Sequence, residues 1–292
     1  MNINTFEELL TACKGENKRI YEIAQENEAQ KSDMSIQEIR QIVKTNIIAM
    51  KDAIKTGLTS DEKSFSGMSG GDCQKLQNKF ATKPSLLGVI FEKITTYALA
   101  TSEENARMGK IVACPTAGSC GIVPSVLISV SEEINATEEE QINALITAGE
   151  IGRIISNKVQ LAGAVAGCQA ECGVASAMAT GALAQLKGEP TENILSAVAL
   201  AMKNLLGLTC DPVCGLVEVP CIKRNPFLGV HAVTAYELAS AGIQSLIPLD
   251  EIIDTLEQTG QLMSPSLKES SQAGLAKTKT GIRLEEKFFT KQ

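Results

Sequence analysis

Leu161-Ala-Gly-Ala-Val-Ala-Gly-Cys-Gln-Ala-Glu-Cys-Gly-Val-Ala-Ser-Ala-Met-Ala-Thr-Gly-Ala-Leu-Ala-Gln-Leu186 is the most apolar stretch of this 292-residue chain. Gln169, Glu171 and Gln185 interrupt it, so a buried helix rich in Ala and Gly explains it better than a membrane span. The rest of the composition agrees. With no Trp and 3% aromatic residues, a core must close by near approach of backbones, which favours helix packed on helix.

Outward from this stretch, helical signals dominate. Ser35-Ile-Gln-Glu38 is a capping box, followed by Ile36, Ile39, Ile42, Val43 and Ile47 at helical spacing. Thr137-Glu-Glu-Glu140 repeats the device ahead of Ile142, Leu145 and Ile146. Thr191 follows Pro190 and opens a helix through Ile194 to Leu206; Asp250, after Pro248, is placed to cap Glu251 to Leu256. Leu216 to Cys221 is the one fair strand candidate, and Ser264 to Gly281 reads as a polar loop. The expected fold is all-α: a single large helical domain, with N-terminal helices over 1–57 packed on a core over 58–281, and a tail over 282–292.

A net charge of −7 implies no basic surface, so nucleic acid is not an expected partner. The N-terminus, MNINTFEELLTACK, lacks the basic-then-apolar pattern of a secretory signal, and no membrane segment is expected. Nine cysteines, an odd number, in a chain with no export signal point to a cytoplasmic protein whose thiols are free or ligate metal.

Four stretches break the helical grammar. Ser64-Phe-Ser-Gly-Met-Ser-Gly-Gly-Asp72 can fold its backbone N–H groups into an anion-binding nest at Gly70 and Gly71, with the Ser66 and Ser69 hydroxyls beside it; a plain interhelical loop has the same composition. Cys114-Pro-Thr-Ala-Gly-Ser-Cys-Gly121 runs into a helix start, where Thr116, Gly118 and Ser119 can face a carboxylate. Gly167-Cys-Gln-Ala-Glu-Cys-Gly173 puts two thiols four apart, on one face if helical. Cys210-Asp-Pro-Val-Cys-Gly215 leads to Val219-Pro-Cys-Ile-Lys-Arg-Asn225, where Pro212 and Gly215 oppose helix and place Cys210 and Cys221 on loop or strand. One cysteine alone is usually a small buried hydrophobe. Five within 54 residues suit an iron–sulfur cluster with one open iron, or a Cys₄ zinc site from the 168/172 and 210/214 pairs; spacing does not choose.

These same residues resemble the iron–sulfur L-serine dehydratases, most closely the α subunit of the two-chain bacterial form. The likeness rests on Gly-Cys-Gln-Ala-Glu at 167–171, Cys-Asp-Pro-Val at 210–213 and Gly-Leu-Val-Glu-Val-Pro-Cys-Ile-Lys-Arg-Asn at 215–225. Ser-Gly-Met-Ser-Gly-Gly-Asp at 66–72 and Pro-Thr-Ala-Gly-Ser at 115–119 follow the family in the same order. The resemblance implies a [4Fe–4S] cluster on Cys168, Cys210 and Cys221, a helical fold, a β partner subunit, and dehydration of L-serine to pyruvate and ammonia. In that reaction the open iron would take the substrate's β-hydroxyl. Cys114, Cys120, Cys172 and Cys214 are extra to the pattern, and the chain ends Phe288 to Gln292 without the C-terminal Cys of some one-chain relatives.

Substrate binding is expected at Ser66, Ser69, Gly70, Gly71, Thr116, Gly118, Ser119 and Arg224. Lys223 and Ser66 are the candidates for a catalytic role. The only histidine, His231, lacks a visible orienting partner, so the general base is expected on the β chain. Other readings are a cluster-dependent L-cysteine desulfidase and a non-catalytic iron–sulfur or zinc protein. No lysine sits as a pyridoxal-phosphate enzyme would need.

Overall fold

Helices begin where the capping boxes predict. The hydroxyls of Ser35 and Thr137 accept from the N–H groups of Glu38 and Glu140, whose carboxylates bond back to the cap residues. Thr5 and Glu8 form a third box. Each such cap contributes about 1 kcal/mol. The computed structural model of the chain describes residues 3–290, and the last two residues of the expected tail lie outside it. Its helices are α1 Phe6–Glu16, α2 Ile20–Ser32, α3 Ile36–Thr59, α4 Asp72–Thr82, α5 Gly88–Ala106, α6 Ile122–Ile134, α7 Glu138–Ser156, α8 Gly163–Ala166, α9 Val174–Leu186, α10 Thr191–Lys203, α11 Cys221–Ser240, α12 Leu249–Leu262 and α13 Lys279–Phe289.

The Ala-rich helix α9 is the centre. Nearly all its residues are buried, and α6, α7, α10 and α11 pack around it. Small residues set the distances between helices. A Cβ on Gly57 of α3 would sit 2.1 Å from the Ala100 carbonyl oxygen of α5, so those two backbones touch directly. A chain almost without large rings closes its core this way. No helix among the described residues is long and apolar enough to cross a membrane.

Three expectations change. The 161–186 stretch is not one helix: α8, a break at Gly167 and a π-helical turn over Gln169–Gly173 precede α9. The 216–221 strand is absent; among the described residues there is no strand, only an isolated bridge between Cys210 and Lys268. Pro220 lacks the N–H a ladder needs, and Cys214 and Gly215, both at positive φ, turn the chain before it. Asp250 lies inside the first turn of α12, behind Pro248, and does not cap it. Its carboxylate instead accepts from the N–H groups of Phe6 and Glu7, at 3.0 Å each, and closes the N-terminus of α1. Asp250→Ala is therefore expected to lower stability by about 1 kcal/mol, read as a lower thermal midpoint; an unchanged midpoint would mean α1 does not depend on this carboxylate.

Candidate metal centre

Gly167 creates the site's first thiol position. Its φ of +76° suits glycine, and a Cβ there would meet the Leu208 carbonyl oxygen at 2.9 Å. The chain thus turns tightly against residues 207–210. Gln169, one of the polar interruptions of the long apolar stretch, fastens that contact. Its N–H donates to Leu208 O at 3.0 Å, its Oε1 accepts from Gly207 N–H at 2.8 Å, and its Nε2 donates to Leu256 O at 3.1 Å. Cys168 sits fully buried at this break.

Cys210 is pinned by its backbone: its N–H donates to Leu267 O at 2.8 Å, and its carbonyl accepts from Glu269 N–H at 2.7 Å. The 264–281 segment, read from sequence as a loop, is thus a strap over the centre. Two 3₁₀ turns stiffen it, and the Asp211 carboxylate accepts from Leu275 N–H at 2.7 Å. Cys221 is the first residue of α11, on a helix and not on the loop or strand expected. Asn225 holds that helix end to the 114–121 stretch: Gly121 N–H donates to its Oδ1, and its Nδ2 donates to Gly118 O, both at 2.9 Å.

The Cys168 and Cys210 sulfurs and a Glu171 carboxylate oxygen all lie within 4.8 Å of one another. Cys221, also buried, stands outside that tight group, although the charge on Cys168 acts on it. Arg224 bridges the two cysteine segments. One Nη1 donates to Cys168 Sγ at 3.1 Å and to Thr209 O at 2.9 Å, and Nη2 meets Asp211 Oδ1 at 3.1 Å. Hydrogen bonds from the Cys172 and Cys210 thiols, then the Arg224 charge, hold Cys168 well below an ordinary thiol. Cys210 is pushed far up by its bond to Cys168 and by burial, and Cys221 by burial first. Burial raises Glu171 to about 7, against the hydrogen bond from Thr116. The Cys₄ pairing does not form: Cys214 is half-buried near Glu218 and Glu285. Burial alone pushes Cys114 up to about 12, as for an inert core thiol.

Protein carboxylates already meet two of the hydroxyls expected to bind substrate, those of Ser69 and Thr116. In the 64–72 stretch, Ser64 Oγ donates to buried Glu218 at 2.6 Å, and Ser69 Oγ donates to the same oxygen. Ser66 Oγ accepts from Met68 N–H at 3.0 Å and faces a cleft of about 420 Å³, closed by Leu284 and Phe288 of α13. Gly70 and Gly71 are both at positive φ, as a nest requires, but Glu103 already accepts from the first N–H of α4, at Asp72. Thr116 Oγ1 donates to Glu171 and lies 3.1 Å from Ser119 Oγ. Gly118 leaves room for Glu171, whose Oε1 would lie 2.5 Å from a Cβ there. Lys223 pairs with Asp72 at 2.6 Å. His231 turns to Ala201 O of α10 at 3.0 Å.

Through these bonds the four irregular stretches form one connected cluster. Sequence reasoning gave no role to Glu171, Asp211, Glu218 and Asn225, although each stands inside a quoted motif. Glu269 had no sequence signal, because only the fold of the strap brings it to the centre.

An all-helical fold gathered around buried thiols defines a protein with a candidate thiolate metal centre. The family model described as serine dehydratase alpha chain matches residues 15–276. A Bacillus subtilis protein named "Probable L-serine dehydratase, alpha chain" is 45% identical over 267 residues, 91% of this chain and 88% of that one. The "L-serine dehydratase, alpha chain" of Peptoniphilus asaccharolyticus is 37% identical over 287 residues, 98% of each chain. In Helicobacter pylori, a protein named "L-serine dehydratase" is 44% identical over 192 residues, 65% of this chain but 42% of its own. The chain belongs to the serine dehydratase alpha chain family.

Proposed function

We propose that this chain is the cluster-bearing half of an L-serine ammonia-lyase, which converts L-serine to pyruvate and ammonia in complex with a β chain. The observation that carries the reading is the junction of Cys168, Cys210 and Cys221 segments around Arg224, in a chain of this family. The donor set fits a [4Fe–4S] cluster. Three buried thiols come from three separate segments, and a guanidinium offsets part of the negative charge that thiolates bring. Bound there, the cluster supplies an iron without a protein thiolate, a Lewis acid toward a hydroxyl leaving group.

The chain's own groups do the holding. Arg224 fixes Cys168 relative to Asp211 and Thr209, and so keeps two ligand segments in register. Thr116 fixes the Glu171 carboxylate. Thr116, Gly118, Ser119 and the 66–71 loop are the proposed substrate-side surface. Arg224 and Ser69, bound to internal partners, shape it from behind. Lys223 and Ser66 remain the catalytic candidates on this chain, and the α-proton is assigned to a base on the β chain.

A second reading has one specific observation in its favour. Cys168, Glu171 and Cys210 are close enough to share a single ion such as zinc. Strictly anaerobic purification with the β chain separates the two. The expected result is about four irons with matching labile sulfide per chain, and pyruvate release from L-serine only when both chains are present. Stoichiometric zinc without labile sulfide, or turnover by this chain alone, overturns the proposal.

A further inference from the structure

Resting on the cluster reading, we propose that Gln169 is a positioning residue. Its side-chain amide sets the spacing of Cys168 and Cys210 and ties both to the helix that carries the strap, so that the centre keeps its cluster. The amide is fully buried, in the π-helical turn that directly follows Cys168. Its two ends reach segments far apart in the chain. Oε1 accepts from Gly207 N–H at 2.8 Å, just before Cys210, and Nε2 donates to Leu256 O of α12 at 3.1 Å. The backbone N–H of the same residue donates to Leu208 O at 3.0 Å. All of these bonds run to backbone groups, so Gln169 acts through the chain that holds the thiols and not on the sulfurs.

Packing around the amide is equally close. A Cβ on Gly260 of α12 would lie 2.9 Å from Ala166 Cβ and 3.4 Å from Gln169 Nε2. One on Gly167 would lie 2.7 Å from Met263 Sδ and 2.9 Å from Leu208 O. Two glycines thus let α12 and the 207–210 loop close on the residues either side of Cys168. From α12 the chain leads straight into the strap, whose Leu267 O and Glu269 N–H hold the backbone of Cys210. Cys168 is therefore joined to Cys210 by two routes, a short one through Gly207 and Leu208 and a long one through α12 and the strap. Gln169 stands on both. The chemistry suits an amide, because one end must donate and the other accept. A carboxylate would set an acceptor against Leu256 O, and an apolar side chain would offer nothing to Gly207 N–H.

The test uses the anaerobically prepared two-chain complex. Gln169→Met keeps the length of the side chain and removes both of its hydrogen bonds. Loss of the cluster's visible absorption is followed in the presence of an iron chelator, and the thermal midpoint of the same complex is measured beside it. The expected result is cluster loss about tenfold faster than in wild type, the low end of the effect of partners that orient metal ligands. A merely structural residue would lower the midpoint and leave that rate alone. Thr137→Ala, which removes the cap of α7 and lowers the midpoint, is the comparison, and its cluster should leave at the wild-type rate. Where Gln169→Met does not fold, Gln169→Asn, whose amide is too short to reach both partners, takes its place and should still lose its cluster faster than wild type. A wild-type rate in the folded variant, or equally fast loss from Thr137→Ala, overturns the assignment. A wild-type complex that holds zinc and no labile sulfide brings down the cluster reading itself. A wild type with its cluster, and a variant that keeps it equally long, brings down only the role of Gln169.

Discussion

Cys221→Ser is expected to empty the centre of its cluster and to reduce serine turnover by about a thousandfold or more. This position tests the three-cysteine reading harder than Cys168 or Cys210, because its sulfur stands outside the tight group that a single ion could use. A cluster needs its third thiolate, whereas an ion held by Cys168, Glu171 and Cys210 does not. The measurement is iron and labile sulfide per chain after anaerobic preparation, followed by pyruvate release. The exchange is nearly isosteric, so the fold should survive; burying a hydroxyl in place of a thiol costs about 1–3 kcal/mol at most. Cys114→Ser, at another buried thiol bordering a site loop, serves as control and should keep its iron. Four irons retained in the Cys221 variant would mean that the ligand set has been misassigned.

Gly57→Ala is expected to be the most damaging conservative change in the scaffold. The added methyl would strike the Ala100 carbonyl oxygen, carbon and Cα at 2.1, 2.5 and 2.8 Å, all backbone atoms of α5. Backbone cannot rotate aside as a side chain can, so α3 and α5 must separate. The cost should be about 3 kcal/mol, the upper end of overpacking, or roughly 5 °C in thermal midpoint for a chain of this size. Gly149→Ala gives the opposite sign. That glycine lies in α7 with nothing within 4 Å of its Cβ position, so the exchange should stabilise by about 0.5–1 kcal/mol through helix propensity. If the Gly57 variant melts with wild type, the close crossing of α3 and α5 is wrong.

The helical class was legible because caps and 3.6-residue spacing are local, and the two capping boxes read at Ser35 and Thr137 start helices where the letters stand. The cysteines of the centre were legible as candidates, since several thiols beside Gly and Pro are hard to explain by packing. What the letters hid was which groups pair across the chain. Arg224 reads as a substrate-binding residue, yet the fold delivers Asp211 and Cys168 to it first. Asp250 looks like the cap of its own helix, yet it closes α1, 243 and 244 positions away. Such pairings depend on tertiary contact. The break at Gly167 also escaped the periodicity, because an Ala/Gly run looks equally apolar in a straight helix and in a turn.

The strap has a consequence for how the protein comes into being. The three proposed ligand cysteines leave the ribosome at positions 168, 210 and 221, before any residue of the strap. The backbone partners of Cys210 come from Leu267 and Glu269, and its neighbour Asp211 is tied down only at Leu275. Until those residues emerge, the Cys210 loop has no clasp and the thiols face an unfinished wall. The centre is thus closed only after the strap has been made, so its ligand loops must wait for residues that follow them in the chain.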